Sequence, residues 1–124
     1  LARDADLTLI EGAGGWRVPL NERESLSDLA IALALPVVLV VGVQLGAINH
    51  ARLTLEAIRG DGLTVAGWVA SGIDPDLPRC RQNLDTLAGW LGEQGGVPCL
   101  GVVPWLPSPS AERVADFLDI DTLL

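Results

Sequence analysis

The chain has 124 residues, of which 49% are apolar and 19% charged, and its formal charge is −8. That suits one small folded domain rather than a disordered segment, and it excludes a basic nucleic-acid-binding or membrane-binding surface. It contains no methionine, which predicts a fragment of a longer protein, and no lysine, which excludes the phosphate-binding loop G-x-x-x-x-G-K-[ST].

In chain order, the first β-rich run is Leu7–Ile10, followed directly by Glu11-Gly12-Ala13-Gly14-Gly15. A helical stripe of Leu26, Leu29, Ala30 and Leu33 comes next, with Ser25 as N-cap and Pro36 as stop. Val37–Val41 is continuously apolar, as a parallel strand covered on both faces is. Ile48, Ala51, Leu55 and Ile58 form a second helical stripe, closed by Gly60 or Gly62. A third strand covers Thr64 to Ala70. A third stripe of Leu84, Leu87, Ala88 and Leu91 ends near Gly95-Gly96, and Cys99–Val103 makes a fourth strand. A short last helix carries Val114, Phe117 and Leu118.

Runs that recur at intervals of about thirty residues, with helices between them, are βαβ units. The expected fold is therefore a single α/β domain over residues 1–124, an open and mostly parallel sheet with helices on both faces. No apolar run is long enough to span a bilayer, and no targeting segment is visible, so the cytoplasm is the expected compartment. Cys80 and Cys99 form no C-x-x-C pair and read as reduced thiols rather than zinc ligands.

Ligands of such sheets sit beyond the carboxyl ends of the strands. The loops to read are thus Glu11–Gly15, Gly42–Asn49, Ser71–Asp74 and Pro104–Pro107, all rich in Gly or Pro. A strand-end carboxylate such as Glu11 can hold Mg²⁺ beside a triphosphate, and the glycines behind it admit phosphate oxygens to backbone N–H groups. Read alone, the same five residues fit equally well a plain glycine-rich turn. A helix that starts near Ala47 would offer free N–H groups to an anion. His50, the one histidine, reads as a hydrogen-bonded structural residue rather than a catalyst.

Together these stretches resemble the dethiobiotin synthetase family. The similarity lies in E-G-A-G-G-W-x-x-P-L at Glu11–Leu20, P-V-V-L-V-V-G-x-x-L-G-x-I-N-H at Pro36–His50, A-G-W-V-A at Ala66–Ala70 and G-x-x-P-W-L at Gly101–Leu106. It corresponds to the C-terminal half of a P-loop fold, the half without the phosphate loop and catalytic lysines, so no catalytic residue is assigned here.

The resemblance implies an ATP- and Mg²⁺-dependent ligase of biotin biosynthesis that acts on diaminopelargonic acid and CO₂ as a homodimer. Glu11 would be the metal ligand. Glu11, Gly12, Ala13, Gly14, Ser71, Gly72, Pro104, Trp105 and Leu106 would meet the nucleotide. Gly46, Ala47, Ile48 and Asn49 would receive the substrate carboxylate across the dimer. Ser71 stands where the family usually has an Asn that reads the base, Gln44 stands where a Lys is common, and Leu106–Ser110 does not follow the pattern. Two other readings are a P-loop amidoligase of the cobyrinic acid synthetase type, which lacks the L-G-x-I-N-H segment, and a non-catalytic dimerisation or binding remnant.

Overall fold

The structure, a computed structural model, describes residues 2–124. Three strands, β1 (Val37–Val43), β2 (Val65–Gly72) and β3 (Cys99–Val103), form one parallel sheet in the order β1-β2-β3. Between them run α2 (Ala47–Gly60) and α3 (Cys80–Leu87), the latter continued by a π-helical turn, Ala88–Glu93. Helix α1 (Leu26–Leu33) precedes the sheet and α4 (Ala111–Ala115) follows it. The fold is the open parallel α/β sheet with helices that strand–helix alternation implies.

The core lies between one face of the sheet and α2–α3. On α2 the buried residues are Ala47, Ala51, Leu55 and Ile58, the i, i+4, i+8, i+11 stripe of an amphipathic helix. They meet Val41 and Val43 of β1, Val65, Trp68 and Ala70 of β2, Leu87 at the end of α3 and Leu91 in the π-helical turn. Trp68 is wholly enclosed, and its indole N–H has no partner among the described residues. Gly62 (φ +84) and Gly96 (φ +68) follow the helix ends in left-handed conformations, which glycine adopts without Cβ strain.

Two expected elements differ. Leu7–Ile10 is not a strand: no described strand lies beside it to share a ladder, and Leu7, Leu9 and Ile10 are all exposed, Leu9 by 80%. The last helix stops at Ala115 before Phe117 and Leu118. There the chain turns to pair Leu118 with Gly101, and the Asp119 N–H donates to the Leu100 carbonyl at 2.7 Å, closing the edge of β3.

Helix α1 forms where expected. The Asp28 carboxylate accepts the Ser25 backbone N–H at 2.7 Å and the Ser25 hydroxyl at 2.9 Å, which fixes the first turn. Its apolar stripe is only partly covered, however: Leu26 and Ala30 are half-buried, whereas Leu29 and Leu33 are exposed, as is Ile31 beside them. The chain presents 8615 Å² to solvent. A self-contained monomer of 13.0 kDa presents roughly 6,300 Å².

Candidate functional site

Strands β1 and β2 end level with one another, Gly42 facing Ser71 and Val43 facing Gly72, while Ser71 faces Val103 at the end of β3. Three strand-end loops therefore meet on one side. The closest approach is at Gly72, where a Cβ would lie 2.6 Å from the Trp105 nitrogen and 3.0 Å from the Pro104 carbonyl carbon. Only glycine permits this contact, so Ser71-Gly72 and Pro104-Trp105 form one continuous surface. Ser71 is half-buried there, whereas Pro104 and Trp105 are exposed and Leu106 is half-buried. Ile73 packs across the end of β1 beside Gly42.

Gly46 (φ +89) caps the start of α2. The Ala47 N–H is already spent on the Gln44 carbonyl at 3.0 Å, and the His50 N–H bonds to the Gly46 carbonyl at 3.0 Å. Among the described residues no acceptor pairs with the N–H groups of Ile48 and Asn49. Of the four expected contact positions, these two keep free donors at the positive end of the helix. Leu45, in front of them, is 94% exposed. His50 is exposed and its imidazole makes no hydrogen bond among the described residues, so the structural role expected of it is not seen.

Glu11, Gly12, Ala13 and Gly14 are all exposed. Gly14 (φ +88) and Gly15 (φ +118) take consecutive positive φ values, a conformation that glycine adopts without Cβ strain. Gly12 rests on the Leu26 side chain and Gly14 on Val18. No described hydrogen bond ties residues 11–15 to the three strand-end loops. The anchor lies just behind them. The Trp16 indole N–H donates to Asp61 Oδ2 at 2.7 Å, and Arg17 Nη2 donates to Asp61 Oδ1 at 2.8 Å. Arg17 Nη1 lies 2.8 Å from Asp61 Oδ2 and donates to Ser27 Oγ at 3.0 Å. These bonds from Arg17 and then Trp16 hold the Asp61 carboxyl below the ordinary carboxylate range.

No motif or periodicity in the sequence marks Asp61. A signal for it exists: an acidic residue at the C-terminal end of α2 opposes the helix dipole, and such a residue needs a compensating partner. Among the described residues no three His, Cys, Asp or Glu side chains cluster as a metal cage. A single exposed carboxylate at Glu11 nevertheless suits Mg²⁺, which is held by one or two carboxylates together with substrate phosphates and water.

Residues 1–113 match a family model described as an AAA domain. The chain is 61% identical over 123 residues to an ATP-dependent dethiobiotin synthetase BioD of Pseudomonas aeruginosa strain UCBPP-PA14, covering 99% of this chain and 52% of that relative. A protein of the same name from Cellvibrio japonicus is 56% identical over 122 residues, covering 98% and 52%. Another, from Chromohalobacter salexigens, is 54% identical over 132 residues, covering 97% and 54%. The chain spans about half the length of the curated relatives it matches.

Proposed function

Because the chain belongs to the AAA-domain family, we propose that it forms one half of an ATP- and Mg²⁺-dependent ligase that makes dethiobiotin from diaminopelargonic acid and CO₂. The observation that carries this reading is the high identity, over nearly the whole chain, to proteins named ATP-dependent dethiobiotin synthetase. In the proposed reaction one amine of the substrate adds to CO₂ to give a carbamate. ATP phosphorylates the carbamate oxygen, and the second amine attacks the carbonyl carbon, closing the ureido ring and expelling phosphate.

Within that scheme Glu11 would hold the metal through its carboxylate, and Mg²⁺ would supply charge neutralisation to the transferring phosphate. The backbone of Gly12, Ala13 and Gly14 lines the phosphates. Ser71, Gly72, Pro104, Trp105 and Leu106 border the base and ribose, a role supported by the continuous Gly72–Trp105 surface. Gly46, Ala47, Ile48 and Asn49 face the substrate carboxylate of a second subunit in a homodimer, with the free N–H groups of Ile48 and Asn49 as donors.

The half-enzyme reading is supported by the surface. Leu7, Leu9, Ile10, Leu29, Ile31 and Leu33 are apolar and exposed, as is Val40 of β1, by 64%. A phosphate-loop half would cover them and give Leu7–Ile10 a strand to pair with. A cytoplasmic place belongs to the same reading, and the two free thiols, Cys80 and Cys99, suit a reducing compartment. Among the described residues no helix is long and apolar enough to cross a membrane.

The test is product formation from ATP, CO₂ and diaminopelargonic acid by the full-length enzyme. Glu11→Gln keeps the side-chain shape and removes the charge, so turnover should fall by about 100-fold or more with unchanged folding. Undiminished turnover at saturating Mg²⁺ would reduce Glu11 to a turn residue. Mg²⁺-dependent ATP hydrolysis by the 124-residue chain alone, surviving Glu11→Ala, would sink the half-enzyme reading.

A further inference from the structure

Residues 2–35 are joined to the sheet by few polar contacts. Among the described residues, every hydrogen bond and ion pair between residues 2–35 and residues 37–124 ends on one side chain, that of Asp61. Both of its oxygens are used. Oδ2 takes the Trp16 indole N–H and Arg17 Nη1, and Oδ1 takes Arg17 Nη2, so the guanidinium is gripped at two points. The carboxylate side chain is only 15% exposed, and Trp16 packs its ring against the core beside it.

The network continues inward. Arg17 donates to Ser27, which is fully buried and is the one buried polar residue among those described. Ser27 and Ser25 hydroxyl oxygens are 2.6 Å apart. The Ser25 proton is committed to Asp28 at 2.9 Å, so Ser27 must be the donor to Ser25. A directed chain thus runs Arg17 to Ser27 to Ser25 to Asp28, locking the start of α1 to the residues that follow Gly15.

We propose that Asp61 is a positioning residue: it sets the Glu11–Gly15 loop relative to the ends of the strands, through Trp16 and Arg17. This rests on the reading of that loop as the place of the metal and the nucleotide phosphates. Asp61 itself touches no substrate. It stands at the far end of α2 from Gly46, and α2 has 14 residues, a rise of about 20 Å at 1.5 Å per residue. The same helix therefore carries the proposed carboxylate site at its start and the anchor of the Glu11–Gly15 loop at its end. An aspartate there is otherwise unfavourable, because the carboxylate faces the negative end of the helix dipole; the Arg17 guanidinium offsets it.

The test pairs kinetics of the full-length enzyme with amide hydrogen exchange, using Asp61→Ala and Asp61→Asn, the latter retaining an acceptor for Trp16. Asp61→Ala should raise the MgATP concentration for half-maximal turnover about tenfold, because a loop held without its anchor loses its productive geometry. The KM for diaminopelargonic acid should change less than about twofold, and Asp61→Asn should recover part of the loss. In parallel, amides of residues 11–18 should exchange about tenfold faster in Asp61→Ala, with Val41 and Ala70 unchanged. Unchanged exchange at residues 11–18 overturns the proposal, and so does faster exchange with an unaltered MgATP requirement. A wild-type enzyme indifferent to MgATP would instead overturn the functional reading, and the exchange result would still decide whether Asp61 is the anchor.

Discussion

Residues 37–103 and residues 2–35 are built on opposite terms. The first region closes on itself: two parallel ladders join three strands, and Val43, Ile58, Trp68, Leu87 and Leu91 are sealed between sheet and helices. The second has sound local structure but leaves Leu7, Leu9, Leu20, Leu29 and Ile31 in solvent. Among the described residues, its polar bonds to the closed region converge on one carboxylate, Asp61 at the end of α2. Apolar burial is what holds the sheet layer, at about 25 cal/mol per Å² removed from water. A few charge-assisted hydrogen bonds and the packing of Trp16 against the core hold the other region in place. The lesson is that secondary structure alone does not make a stable region; a helix with a partly uncovered stripe is a surface awaiting a partner.

The two regions should respond most differently to truncation of one leucine in each. Leu87 is completely enclosed, and Leu87→Ala should cost about 2–5 kcal/mol of unfolding free energy, from lost transfer energy and the cavity left behind. Leu9→Ala in the same chain should lie within about 0.5 kcal/mol of wild type, the range for surface changes. Denaturant melts of both variants decide it. A Leu9→Ala loss as large as that of Leu87→Ala would mean that the exposed residues already have a partner, such as a second copy.

The start of α2 offers a second contrast, within the closed region itself. Proline at Asn49 removes a free N–H, whereas proline at Ala47 replaces one already bonded to Gln44. If the helix start binds the substrate carboxylate, Asn49→Pro should raise the KM for diaminopelargonic acid about five- to tenfold in the full-length enzyme, with the KM for ATP little changed. Ala47→Pro should disturb the turn and so lower stability more than substrate affinity. Equal rises in both KM values for Asn49→Pro would make the segment a plain helix cap.

A smaller effect is expected at Ser71. A hydroxyl presents one donor, whereas an amide reads a base edge from both sides. Ser71→Asn should therefore increase the preference for ATP over GTP by about threefold to tenfold in kcat/KM, each new neutral hydrogen bond contributing about 1 kcal/mol. Identical ratios before and after would move base recognition to the backbone around Pro104 and Trp105, which Gly72 holds in contact.

Much of the closed region was legible because its patterns are local. The 3.6-residue period of Ala51, Leu55 and Ile58 and the apolar run of β1 each specify an element within a dozen residues. The strand-end loops followed from topology, and the family resemblance rested on segments that are contiguous in sequence. Leu7–Ile10 misled for a physical reason: strand propensity describes a fit to a neighbour, and none is present among the described residues. The anchor was invisible for a different reason. Asp61 lies 45 residues from Trp16 and 44 from Arg17, and no periodicity connects them. The spent N–H of Ala47 likewise depends on the turn at Gln44, which sequence places but does not orient.

The last and smallest effect concerns acid. Bonds from Arg17 and then Trp16 lower the Asp61 pKa, and the Ser25 backbone N–H and then its hydroxyl lower that of Asp28. A carboxyl whose folded pKa lies below its unfolded value of about 3.9 contributes stability that is fully present above that value and lost as pH falls through the folded one. Both groups therefore act in the same direction, and the window opens below about pH 4. Arg17 is 56% exposed, so solvent screens the pair and the contribution is modest. Its distinguishing feature is where it acts: Asp61 couples the two regions, whereas the sheet layer owes little to any carboxylate. On acidification the Trp16 indole N–H resonance should shift and broaden as Asp61 protonates, while the amides of Val41 and Ala70 keep their native positions. Asp61→Asn, which cannot titrate, should abolish that early step and leave the later loss of the sheet unchanged. If Trp16 and the sheet amides instead lost their native signals in one transition, with the same midpoint in both proteins, the two regions would unfold as a unit and Asp61 would not be their acid-sensitive link.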